Sequence, residues 1–114
     1  MGLDFSHGGA HWSYSGFLSF RKELAEQIGI DLMAMPGFSH LPTGNWDDVD
    51  DPITLLVNHS DCDGKLSPVE CLAVAPRLRE MAEVLRDDYD KCNALWLAAG
   101  MDLAAAATEP LEFC

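Results

Sequence analysis

Four residues constrain this chain more than any others: Ser67-Pro68-Val69-Glu70. A serine cap, a proline suited to the first turn and a glutamate three places after the serine form a reciprocal helix-starting box. A helix therefore has to begin here, and the residues before it have to turn. That preceding stretch, His59-Ser60-Asp61-Cys62-Asp63-Gly64-Lys65-Leu66, is acid-rich and hinges on Gly64. Downstream, Val74, Leu78, Met81 and Leu85 recur on one stripe, so the helix runs to about Arg86. Pro76 falls on the opposite side, where a kink or a break is expected.

The remaining periodic segments are also helical. From about His11 to Ile28, Phe17, Phe20, Leu24 and Ile28 share one face opposite Ser19, Lys22, Glu23 and Glu26, and Gly29 is a stop. Asp51 caps a short helix, with Pro52 in its first turn and Ile53, Leu56 and Val57 on one side. A last helix, about Asp88 to Thr108, has Tyr89, Cys92, Trp96 and Leu103 as its stripe and ends before Pro110. Residues 111–114 form a short extended tail, and Ile30 to Val49, broken by Pro36-Gly37, Pro42 and Thr43-Gly44-Asn45, is a long connection expected to line a pocket. No segment alternates convincingly with period two. The expectation is an all-α fold, a small bundle of about four helices with one acidic loop, as a single domain over residues 1–114.

With 48% hydrophobic residues in 114, the chain can bury one core. Nineteen acids against seven basic residues give a net charge of −12, which repels phosphate backbones and argues against nucleic acid as a partner. No apolar run approaches the roughly 18 residues of a membrane span. The start, MGLDFSHGG, lacks the pattern of a secretion signal, though Gly2 and Ser6 fit the loose N-myristoylation pattern. The four cysteines, Cys62, Cys71, Cys92 and Cys114, form no C-x-x-C pair; reduced thiols in the cytoplasm are expected.

His59 to Glu70 resembles the twelve-residue EF-hand calcium loop, and each matched place has a reason. Asp61 and Asp63 supply carboxylates at the third and fifth places, and Gly64 takes the sharp turn at the sixth. Lys65 offers its carbonyl, Leu66 points to the core, Ser67 ligates directly or through water, and Glu70 gives a bidentate carboxylate. His59 departs from the pattern, since imidazole is a poor ligand for a hard cation. The resemblance therefore implies calcium or another divalent metal on His59, Asp61, Asp63, Lys65, Ser67 and Glu70. The simpler alternative is a helix-capping turn without an ion.

Two further features need an account. His7 and His11, near Asp4, would share a helix face, and with His59 could converge on one metal site, although Gly8-Gly9 argues against a rigid helix there. Arg21 falls inside the apolar face of the first helix, where a guanidinium needs an internal acid or a bound anion. Asp4 and the loop carboxylates are the candidate acids. Together, the stretches Met1 to His7, Tyr14 to Phe17, Asn58 to Gly64 and Glu109 to Phe113 resemble a family of small proteins from actinobacteria and their phages. The resemblance implies a phage accessory or host-interference context. Three functions follow as expectations. The first is a non-catalytic, metal-loop binding protein, with a divalent cation and a protein as partners. The second is a metal-dependent hydrolase using His7, His11, His59 and Asp61. The third is a protein sequestering an anionic small molecule, such as a nucleotide signal, through Arg21.

Overall fold

The computed structural model describes residues 2–59 and 64–114. Four helices form: α1 (Tyr14–Gln27), α2 (Thr54–Val57), α3 (Pro68–Ala82) and α4 (Asp88–Ala106). Four short strands join them, β1 (Leu3–Asp4), β2 (His11–Trp12), β3 (Lys65–Leu66) and β4 (Leu111–Glu112). The strands make two antiparallel pairs, β1 with β2 and β3 with β4. The fold is thus mixed α and β, which corrects the all-α expectation. Each strand has only two residues, too few to display an alternating pattern, and each finds its partner through tertiary contact rather than local propensity. Within β1 and β2, Leu3 and Trp12 point into the core while Asp4 and His11 face out.

Helix α1 starts later than expected because Ser13 caps it, accepting from Gly16 N–H, and His11 and Trp12 are taken by the strand. Its stripe is buried: Phe17, Phe20 and Leu24 are inaccessible, and Ile28 packs at the margin. Trp12 stacks on Phe20 at 4.5 Å, which locks the β1–β2 hairpin onto α1. Helix α3 begins with the Ser67–Glu70 box and runs through Pro76 without a break, with that proline on its exposed side. Val74, Leu78, Met81 and, just beyond the helix, Leu85 fill the core.

Helix α4 shows a different face from the expected one. Tyr89, Trp96 and Leu103 are more than half exposed, and Cys92 is exposed too. The buried face is Ala94, Leu97, Ala98, Met101 and Ala104, with Asn93 and Gly100. Small side chains let α4 lie close against α3, its most extensive neighbour. Between α1 and α2 the chain makes two 3₁₀ turns, Leu32–Ala34 and Trp46–Asp48, and Trp46 Nε1–H donates to the Pro36 carbonyl. Asp51 organises the approach to α2: its carboxylate accepts from Ile53 N–H, and Arg77 on α3 pairs with it at 3.0 Å. Burial pushes the Asp51 carboxyl up, but the Arg77 and Ile53 hydrogen bonds outweigh burial and hold it below its ordinary value.

Candidate functional site

The acidic loop lies between α2 and α3. Helix α2 closes at Val57, and His59 N–H still reaches back to the Leu56 carbonyl. On the far side, Gly64 has φ of 91°, a conformation that side chains resist. It has a second reason to be glycine: a Cβ there would sit 3.0 Å from the His59 ring. The turn brings the first and seventh places of the loop together, with His59 Nε2 3.2 Å from the Lys65 carbonyl oxygen. Asp61 and Asp63, expected at the third and fifth places, lie outside the described residues.

Leu66 is buried and pairs with Leu111, so the loop's inward residue anchors it to the C-terminal tail. Phe113 extends that anchorage. Its N–H donates to the Gly64 carbonyl, and its ring stacks on His59 at 3.8 Å and 18°. Ser67 and Glu70 form the expected reciprocal box, Glu70 Oε1 accepting from Ser67 N–H at 2.8 Å and Ser67 Oγ from Glu70 N–H at 3.2 Å. One Glu70 oxygen is therefore committed to the cap, and gripping an ion with both requires sharing that bond. That contact of His59 Nε2 with the Lys65 carbonyl is a hydrogen bond: a carbonyl oxygen only accepts, so Nε2 carries the hydrogen, and an ion held by both atoms has to displace it.

Arg21 lies directly behind the loop. It is 3% exposed, its guanidinium 4.7 Å from the Phe17 ring and 5.2 Å from Phe38. Its Nη1 donates to the carbonyls of Val57, at 3.4 Å, and His59, at 2.5 Å. Arg21 therefore holds the end of α2 and the first loop residue against α1. Asp4, one of the acids considered for it, is bound to His11 on the outer face of the hairpin, Oδ1 to Nδ1 at 2.8 Å.

The histidines occupy separate places. His11 is with Asp4, His59 is with Phe113 and Lys65, and His7 pairs with Glu109 at 3.0 Å. Among the described residues no three His, Cys, Asp or Glu side chains gather as a metal cluster. The long connection does line a cavity, of about 540 Å³, walled by Ile28, Ile30, Met35 and Val49 together with Asp31 and Asp48; Arg21 does not reach it. Sequence reasoning missed the Phe113–His59 stack and the His7–Glu109 pair because each joins residues far apart in the chain, and the Ser6–His7 bond because neighbouring side chains meet only when the backbone turns them together. The extended tail was the one signal pointing to them. No family model matches the chain, and neither a curated protein nor a solved structure matches it.

Proposed function

We propose that this chain is a small cytoplasmic divalent-cation-binding protein whose loop His59–Glu70 holds the ion and whose C-terminal tail reads its occupancy. The observation that carries the reading is the hydrogen bond from His59 Nε2 to the Lys65 carbonyl beside Gly64, which brings the first and seventh places of the loop within 3.2 Å, where an ion displacing that hydrogen would reach both. The exiting helix supports it, since α3 starts where such a loop requires and carries Glu70 in its first turn. Asp61 and Asp63 complete the donor set by sequence, and calcium or a metal tolerant of one nitrogen ligand fits those donors. The thiols of Cys71, Cys92 and Cys114 are free, in keeping with a reducing compartment. No described helix is long and apolar enough to cross a membrane. The family resemblance makes a phage accessory role the natural setting for such a binder.

Thermal unfolding with calcium, manganese or zinc tests this reading. An ion that binds only the folded chain stabilises it by mass action, about 2.7 kcal/mol at one hundred times the Kd. Glu70→Gln should remove the shift, whereas Cys62→Ser, at a place that supplies no ligand, should keep it. His59→Asp should move preference toward calcium by restoring an oxygen. Titration calorimetry showing no heat for any of the three ions at millimolar levels would reduce the loop to a helix-capping turn.

A further inference from the structure

Away from the loop, three polar side chains form a chain that the cation reading does not use. Ser6 Oγ lies 2.7 Å from His7 Nδ1, and His7 Nε2 lies 3.0 Å from Glu109 Oε1. The hydrogen positions follow from donor and acceptor chemistry. An ionised carboxylate only accepts, so neutral His7 carries its hydrogen on Nε2 and leaves a lone pair on Nδ1. Ser6 Oγ already accepts the Glu112 N–H at 2.9 Å, which turns the Ser6 hydroxyl hydrogen toward that lone pair. A hydroxyl, an imidazole and an orienting carboxylate thus stand in the order that activates a nucleophile.

The scaffold holds this geometry firmly. Ser6 N–H donates to the Glu112 carbonyl, and Phe5 bridges to Phe113, so the segment before His7 is pinned to the tail. The His7–Gly8 backbone sits directly on α4 at Gly100, where a Cβ would overlap the His7 carbonyl oxygen. Ser6 itself is exposed, and open space surrounds Gly9. On α4, Trp96 and Leu103 flank Gly100 and are 55% and 58% exposed, leaving apolar surface on the helix that the His7–Gly8 segment touches.

We propose that Ser6, His7 and Glu109 form a nucleophilic site that accepts acyl groups from small apolar esters. Ser6 Oγ bonds to the ester carbonyl carbon while its proton passes to His7 Nδ1. The carbon–alkoxy bond then breaks, and the departing alcohol takes that proton. Water attacks the acyl-serine next, giving a proton to Nδ1; the Ser6 oxygen leaves with it, and the carboxylic acid departs. His7 is the base, and Glu109 is a positioning residue that holds the imidazole in the required tautomer.

An alkyl fluorophosphonate tests this on the full chain, because its phosphorus takes the serine oxygen and releases fluoride in a single trapped step. Peptide mapping should place the adduct on Ser6, and Ser6→Ala should lose it. His7→Gln should slow labelling by at least about 100-fold, the usual contribution of a positioned base. Glu109→Gln should also slow it, while Glu109→Asp retains a larger share of the rate at equal thermal stability. Labelling elsewhere than Ser6, or labelling of Ser6 at the same rate in His7→Gln, overturns the proposal and leaves the three residues as a clasp between the chain ends.

Discussion

Helices α3 and α4 pack against one another yet turn different residues outward. Helix α3 commits large side chains, Val74, Leu78 and Met81, to the core and turns its proline outward. Helix α4 commits Leu97 and Met101 together with three alanines and a glycine, and turns Trp96 and Leu103 to the surface. Both gain stability from apolar area removed from water, and α4 adds close approach at Gly100, where it meets the His7 backbone. A side chain's size therefore says little about which face of a helix is buried when the neighbour demands proximity. The exposed α4 residues alternate with acids, Asp88, Asp90 and Asp102, which also keeps that face soluble.

Mutation can break this contrast, and the largest expected effect is on α3. Leu78→Ala should cost about 2–5 kcal/mol in denaturant unfolding, since the side chain is inaccessible and its loss leaves a cavity. Gly100→Ala should cost about 1–3 kcal/mol, although alanine ordinarily favours a helix, because the new methyl meets the His7 backbone rather than a side chain that can move. A stabilised Gly100→Ala protein would mean that α4 does not depend on close approach. Trp96→Ala should stay within about 0.5 kcal/mol, as expected of a surface position. A loss as large as that of Leu78→Ala would place Trp96 in a core and erase the difference between the helices.

What the sequence disclosed follows the range of the interactions. The Ser67–Glu70 box was legible because cap and partner are three residues apart, and the Phe17, Phe20 and Leu24 stripe because a single helix displays it. Arg21 was legible as a buried charge for the same reason, but two of its acceptors, the carbonyls of Val57 and His59, belong to another element and were not. The strands escaped because Leu3 finds Trp12, and Leu66 finds Leu111, only once the core exists. The α4 stripe was misread because ranking by size selects Trp96 over Ala94 and Ala98. At the candidate loop, the turn at Gly64 was readable, whereas the seat of His59 on Phe113 was not.

The lacing of the chain ends carries a consequence for synthesis. Cys114 N–H binds the Asp4 carbonyl, Ser6 N–H binds Glu112, and Phe5 meets Phe113 across the same seam. A polypeptide leaves the ribosome from its first residue at about 5–20 residues per second, so domains often begin to order before they are finished. Here strand β1 can be covered by residues 112–114 only after those residues have been made. The closing pairs span nearly the whole chain, which makes them slow, high-separation contacts. Closure of this seam therefore waits on residues 112–114, and a change there would disturb β1 as well as β4.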